Sequence, residues 1–377
     1  MRCAESSGST TGGNVNTRRN FILIAALSVL ASLLAGAVVI LILGKNPLSA
    51  YYNLLQGCGL APKAKYAGSK SMLSDLSSYI DFWTPMIFAA LSCAVAMRAG
   101  LFNIGISGQM LVAGFLSSVT VGYSALSAPI ARPLVLLISA AAGMSVGALI
   151  GFLKYRFNIN EVVSSIMLNY IASYVISFFI NTFYVDPVSR QSRNIGDNAR
   201  LTLHQIRIGG IKYDLPIGFV LAILAVLLVR FLFDHTVLGY ELRAVGLNRT
   251  AARYAGIRVG RSIVTSMAIS GLLAGMAGAT YYLGYFASIQ PRTLVSTGYD
   301  SIAVCLLGNS DPIGILTASF LIEIIAKGST YMSSQAGLES EIASVITGLI
   351  LLTSACNSYF LTRLSARRST AAAKNED

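Results

Sequence analysis

The stretch Gly239-Tyr-Glu-Leu-Arg-Ala-Val-Gly-Leu-Asn-Arg-Thr-Ala-Ala-Arg-Tyr-Ala-Gly-Ile257 is polar and arginine-rich, yet it stands between two long apolar runs. A short segment of this kind between hydrocarbon-length spans has to face water. Its alanines and glycines also let another protein's backbone approach closely. It therefore reads as a short, positively charged docking helix that does no chemistry of its own, and everything around it reads as membrane.

Composition agrees with that reading. Hydrophobic residues make up 54% of the 377 and charged residues 12%, and the mean hydropathy is +0.66, which excludes an ordinary water-soluble globular chain. A formal net charge of +12 would suggest nucleic acid in a soluble protein. Here the basic residues gather at the ends of apolar runs, where anionic lipid headgroups and membrane orientation account for them, so membrane lipid is expected as a partner and nucleic acid is not.

Crossing a hydrocarbon core of about 30 Å takes about 20 helical residues. Runs of that length occupy residues 21–43, 134–153, 162–185, 217–233, 263–286 and 342–361. Shorter, glycine-interrupted pieces at 82–97, 109–126, 299–307 and 313–325 read as tilted spans, half-helices or re-entrant segments. The expectation is an all-α polytopic membrane protein of about ten transmembrane or half-membrane helices. Ten crossings put both termini on one side, and Arg18 and Arg19 before the first run, with Arg363, Arg367 and Arg368 after the last, make that side cytoplasmic. The corresponding division is a disordered cytoplasmic tail over 1–19, a membrane domain over 20–362 and a second cytoplasmic tail over 363–377. Within the membrane domain, 45–80 and 186–216 are extracytoplasmic loops and 235–261 is a cytoplasmic loop.

A weak internal repeat is expected around broken helices, because a small-residue apolar helix followed by a glycine-rich break occurs at 89–108 and again at 268–298. The first break holds Asn103 and Gln109, which in hydrocarbon must bond to backbone or line a polar path. In the next helix Glu161, Ser165, Asn169, Ser173, Ser177 and Asn181 recur every fourth residue as a polar stripe. Its serines can bond their own backbone, and Asn169, with Ser173 one turn on, is the member expected to face a cavity. Asp300, at the mouth of a short apolar helix, reads either as a functional carboxylate or as a charge at a helix start. Glu323 and Lys327 are spaced as a helix pair that neutralises itself. Outside the bilayer, Arg190, Arg193 and Arg200 could meet acidic lobes of a delivery protein, or could simply decorate a long loop.

Five scattered cysteines and two histidines, His204 and His235, show no metal-ligand spacing. There is no phosphate-binding G-x-x-x-x-G-K-[ST] loop and no Ser/His/Asp or paired-carboxylate constellation. No catalytic residue, metal or cofactor is expected, and any ATP hydrolysis has to come from a partner.

Four stretches taken together carry a resemblance: Asn-Ile-Gly-Ile-Ser-Gly-Gln-Met (103–110), Asn-Glu-Val-Val-Ser-Ser-Ile-Met-Leu-Asn-Tyr (160–170), Arg-Ala-Val-Gly-Leu-Asn-Arg-Thr-Ala-Ala-Arg-Tyr-Ala-Gly-Ile (243–257) and Gly-Tyr-Asp-Ser-Ile-Ala-Val (298–304). In that order, over residues 80–360, they resemble the permease subunit of a bacterial ABC importer. The resemblance is to the branch of the ribose/nucleoside-type permease family that works with basic-membrane-protein lipoproteins. It implies a second permease subunit, identical or paralogous, a cytoplasmic ABC ATPase and an extracytoplasmic substrate-binding lipoprotein. It assigns ATPase coupling to Arg243, Gly246, Asn248, Ala251, Ala252 and Gly256, and the polar residues read above, Asn103, Gln109, Asn169, Ser173 and Asp300, are then the candidates for the substrate pathway. This chain departs from the family's pattern at Ser107, where an acidic residue is common, and at Arg249, where proline is frequent. The implied cargo is a purine-type nucleoside, with riboflavin or a simple sugar as alternatives and an ion-coupled secondary carrier as the competing class. Phe102, Tyr170, Tyr281 and Tyr282 are available as aromatic walls for a ring.

Overall fold

A computed structural model describes residues 10–66, 70–208, 211–339 and 341–355. In chain order the elements are α1 (Thr10–Ile42), α2 (Pro47–Gly57), α3 (Met72–Arg98), α4 (Ile106–Ser117, continued by a π-helical turn to Gly122), α5 (Ala128–Phe157) and α6 (Glu161–Phe179, with a π turn to Tyr184). An antiparallel hairpin of β1 (Thr202–Ile208) and β2 (Ile211–Pro216) follows. Then come α7 (Ile217–His235), α8 (Val237–Leu247), α9 (Arg249–Tyr254), α10 (Val259–Thr280, with a π turn to Phe286), α11 (Thr297–Leu307), α12 (Pro312–Ala336) and α13 (Glu341–Ala355).

Six of these are long and apolar enough to cross a membrane, namely α3, α5, α6, α7, α10 and α12; the number rises to seven if α1 and α2, bent 116° from one another, form one span. Shorter apolar helices lie at Ile106–Gly122, Thr297–Leu307 and Glu341–Ile350. Two runs taken as short pieces from the sequence, 82–97 and 313–325, are the C-terminal part of the full-length α3 and the N-terminal half of the full-length α12. Windows of pure hydropathy undervalue both, because α3 carries Asp75, Asp81 and Thr84 and α12 carries Glu323 and Lys327. The packing removes the difficulty. In the apolar core of α3 83% of residues are buried inside the protein, against 33% for α7. A helix that meets protein on all sides does not need a lipid-compatible surface, and its polar groups find partners there.

Those partners are specific. The Tyr79 hydroxyl donates to the Phe320 carbonyl at 2.6 Å and the Trp83 indole N–H donates to Ser319 Oγ at 2.8 Å, tying α3 to α12. Thr202, at the start of β1, donates to the buried Asp81 at 2.7 Å. The expected loop over 45–80 is only partly a loop: α2 lies within it, packed on α12 with Gly57 against Gly328 and the Cys58 thiol donating to the Ile324 carbonyl at 3.3 Å. The first tail is also shorter than expected, since α1 is helical from Thr10; extending an existing helix costs far less than nucleating one. The second tail, 363–377, lies outside the described residues.

The tightest helix pair is α5 with α10. A Cβ on Gly143 would collide with the carbonyl oxygen of Gly271, one on Gly147 with that of Met267, and one on Gly275 with that of Ser139. Lipid tails supply no hydrophobic drive for two apolar helices to associate, so dispersion at close backbone approach is what holds them. Placing a side chain in this seam should cost at least about 1–3 kcal/mol, the usual range for overpacking. Gly271→Leu is expected to lower the thermal midpoint of the detergent-solubilised protein, whereas Gly196→Ala, whose new Cβ would meet only the Gly122 carbonyl at 3.5 Å, is expected to leave it unchanged.

Candidate functional site

The site grows out of the way α3 stops. Gly100 takes φ +68°, and the amides of Gly100 and Leu101 return to the carbonyls of Met97 and Ala96 at 3.0 Å each, the glycine-terminated ending that closes off a helix. The chain then runs without regular structure to Gly105, where α4 begins. Such backbone inside a bundle survives only if its polar groups are paired. Asn103 is wholly buried. Its Oδ1 accepts from the Gly105 amide at 2.9 Å, and its Nδ2 donates to Gln109 Oε1 at 3.1 Å and to Ser270 Oγ at 2.8 Å. Ser270 is itself exchanged with Ser92, each hydroxyl donating to the other's carbonyl at 2.7–2.8 Å.

Asn169 completes the arrangement from α6. Its Oδ1 accepts from the Gly108 amide at 3.0 Å, capping the first turn of α4 from a different helix, and its Nδ2 donates to the Ile104 carbonyl at 2.9 Å. The polar stripe of α6 does face inward: Ser165, Asn169, Ser173 and Ser177 are buried, while Asn181 at its end is exposed. Ser165 and Ser177 donate to carbonyls one turn back, and Ser177 Oγ accepts the Arg292 amide at 2.7 Å.

The second break comes to meet the first. Between Phe286 and Thr297 the chain is again irregular, and α11 starts beside the start of α4: Ser107 Oγ donates to the Val295 carbonyl at 2.9 Å, and a Cβ on Gly298 would strike Ser107. The two broken helices thus abut at their N-terminal ends. Asp300 stands in the first turn of α11, a charge at the helix start, without being the N-cap residue, which is Ser296.

Asp300 also lines a cavity of about 380 Å³ walled by α3, α11, α12 and α13, together with Glu323. Glu323 is 3% exposed, and its Oε2 has no hydrogen-bond partner. The pairing expected with Lys327 does not form. Lys327 Nζ turns to the Tyr285 hydroxyl at 2.7 Å and sits over the Phe82 and Tyr285 rings, 5.2 and 4.7 Å from their centres. A long flexible stem and two π faces outcompete the helical neighbour. Of the aromatics singled out from the sequence, Tyr170 is 52% exposed on the outer surface and Tyr282 is buried in packing against Gly114. The wall of the cavity includes Phe82, which spacing alone does not distinguish from a packing residue.

At one end of the bundle the arginine-rich stretch forms two short helices, α8 and α9. Asn248 joins them, its Oδ1 accepting from the Thr250 and Ala251 amides at 2.9 and 3.1 Å. Several of the residues read as docking contacts are used inside the chain. Arg243 Nη2 donates to the Phe233 carbonyl at 2.6 Å, closing the end of α7, Ala252 is buried, and Gly246 packs on Gly100 so closely that a Cβ there would strike the Arg98 carbonyl. Arg249 donates to the Gly100 carbonyl at 3.2 Å, linking the first break to α9, and Arg98 donates to the Ser310 carbonyl at 3.2 Å, linking the end of α3 to the turn between α11 and α12. Lys154 and Glu161 bridge α5 to α6 at 2.9 Å. The outward surface holds Gly246, Asn248, Ala251 and Gly256, with Leu247 and Tyr254, 88% and 89% exposed. At the opposite end Arg190 and Arg193 are exposed, while Arg200 is half-buried with Nη2 toward the Gly284 carbonyl. Among the described residues no cluster of three or more His, Cys, Asp or Glu could hold a metal.

A bundle of spans with two breaks meeting at their helix starts, and a basic, water-facing helix pair at one end, is the build of a multi-pass transport protein. The chain belongs to the family described as branched-chain amino acid transport system / permease component, which it matches over residues 76–355. It is 35% identical over 342 residues to the guanosine ABC transporter permease NupP of Bacillus subtilis, covering 89% of this chain and 93% of that one. With the nucleoside ABC transporter permease NupB of Lactococcus lactis it shares 32% over 345 residues, 89% and 91% of the two chains. A glucose ABC transporter permease of Haloferax volcanii is 23% identical over 345 residues, 89% and 87% of the two chains.

The clamp makes a direct prediction. Asn169→Ala leaves the Gly108 amide and the Ile104 carbonyl without partners, at about 1–3 kcal/mol for each buried group. Asn169→Asp keeps the acceptor and loses the donor. Unfolding in detergent is expected to rank wild type above Asn169→Asp and Asn169→Asp above Asn169→Ala; equal stability of all three would show that water or a neighbour replaces the amide.

Proposed function

We propose that this chain is the permease subunit of an ATP-driven importer and forms the membrane path for a nucleoside, purine-type, handed over by an extracytoplasmic binding protein. The observation that carries the mechanism is the α8–α9 surface, where Leu247 and Tyr254 project beside Arg253 and Arg258 at the end that also holds the Gly100 turn of the first break. An ATPase docked there would press on α9, and through Arg249 and Gly246 on the Gly100 turn. From that turn the motion passes to the start of α4. Among the sequence-derived coupling residues, Gly246, Asn248, Ala251 and Gly256 are open to the partner, while Arg243 and Ala252 hold the docking helices in place. Asn103, Gln109, Asn169, Ser173 and Asp300 belong to the pathway as its frame, with Asp300 at a cavity wall.

Basic residues concentrated around α8, α9 and the ends of α3 and α5 make that end cytoplasmic. With the three shorter apolar helices each counted as a crossing and α1–α2 as one bent span, ten crossings result and both termini lie in the cytoplasm. Arg190 and Arg193 are then extracytoplasmic and open to acidic lobes of the binding protein, and Arg200 braces the loop. A second permease subunit completes the path. Nucleoside is favoured over sugar because identity is 32–35% to the nucleoside and guanosine permeases and 23% to the glucose permease.

Two outcomes test this. In proteoliposomes holding the chain with its ATPase, companion permease and binding protein, uptake of labelled guanosine should require ATP; uptake driven by an ion gradient without ATP would replace the importer by a secondary carrier. Leu247→Asp with Tyr254→Asp changes only outward side chains, so the protein should insert and melt as wild type does while ATPase co-purification falls at least about tenfold, as expected when exposed apolar anchors are lost from an interface. Undiminished co-purification would place the ATPase elsewhere.

A further inference from the structure

The cavity between α3, α11, α12 and α13 is more than a gap between helices. Its volume of about 380 Å³ lies within the range of about 300–1,000 Å³ that small-molecule sites occupy. Its lining combines the carboxyls of Asp300, Glu323 and Glu341 and the Thr347 hydroxyl with an aromatic and thioether wall, Phe82 and Met86. The nearest base, Lys327, donates its hydrogen bond to Tyr285 and forms no ion pair with Glu323. Glu323 is the second, independent sign of a ligand: a carboxyl oxygen buried in a membrane helix with no partner is costly to keep, and groups of this kind are retained where something binds. The carboxyls do not gather into a metal cluster, so the partner chemistry is that of an organic hydrogen-bond donor. An ionised carboxylate has two acceptor oxygens and no donor, and it is best matched by two parallel N–H groups. Among nucleobase edges that pattern is guanine's ring N–H beside its exocyclic amine.

We propose that this cavity is the membrane-level binding site for the nucleobase, with Glu323 accepting the paired N–H donors of a guanine-type ring, Asp300 accepting from the remainder of the nucleoside, and Phe82 and Met86 forming the wall against the ring. The inference rests on the nucleoside reading above and adds to it the site, the edge recognised and the residue that discriminates.

The test uses the complete transporter in proteoliposomes and compares ATP-driven uptake of guanosine with that of inosine, which lacks the exocyclic amine. Because the binding protein is the same throughout, its own preference cancels when the ratio of kcat/KM values is compared between variants. Glu323→Gln keeps the volume but offers one acceptor, so the guanosine-to-inosine ratio should fall at least about tenfold, the effect of losing a hydrogen bond to a charged group. Gly348→Leu projects into open space at the cavity wall, where a Cβ meets nothing within 4 Å. It should therefore depress uptake of both nucleosides with unchanged melting and ATPase association. An unchanged ratio in Glu323→Gln, or full uptake in Gly348→Leu, while wild type transports guanosine, overturns the inference and leaves the importer reading standing. A wild-type transporter that moves neither nucleoside overturns both. If Glu323→Gln fails to fold, the Gly348→Leu result decides alone.

Discussion

A polypeptide that unwinds inside a hydrocarbon slab has no water to satisfy the amides and carbonyls it frees, and each one left unpaired costs about 1–3 kcal/mol. The 99–105 segment faces that constraint, and its solution organises the molecule. Asn103 satisfies the segment from within, Asn169 reaches across from α6 to hold the Gly108 amide and the Ile104 carbonyl, and Ser270 from α10 anchors Asn103. Three helices are therefore committed to one turn of broken backbone. Moving that turn means moving them together or exchanging their bonds.

Around the break the structure is stiff where it has to be. The α5–α10 seam brings main chain against main chain, and α3 is almost wholly enclosed. Rigid seams of this sort have few intermediate positions, which suits an element that must sit in one of two arrangements. The turns at Gly100 and Asn309–Ser310 take positive φ angles. Gly100 packs against Gly246 of α8, and Ser310 accepts from Arg98. The starts of α4 and α11 touch through Ser107, Val295 and Gly298. The position where the family tends to carry an acid is here a hydroxyl that stitches the two breaks together.

Much of this was legible in the residues. The arginine-rich stretch announced itself as charge between spans, the glycines of both breaks marked where helices stop, and the fourfold stripe of α6 singled out Asn169, which clamps the start of α4 where a cavity was expected. What could not be read depended on partners distant in sequence. Windows of hydropathy undervalued α3 and α12 because a helix enclosed by protein can afford Asp81, Thr84 and Glu323. Arg243 and Gly246 looked like contacts for another protein because nothing local reveals that Phe233 and Gly100 come to meet them. Lys327 looked paired with Glu323 by spacing, and only the positions of Tyr285 and Phe82 show why it is not.

The claim on which the whole account turns is that Asn169 holds the broken start of α4, and hydrogen exchange at single-amide resolution measures it most directly. In the membrane-reconstituted protein the Gly108 amide should exchange as slowly as amides in the middle of α10, and Asn169→Ala should speed it by about ten- to a hundredfold, the equivalent of about 1–3 kcal/mol of lost protection. Rapid exchange at Gly108 in the wild-type protein, or a rate that ignores the substitution, would contradict the account.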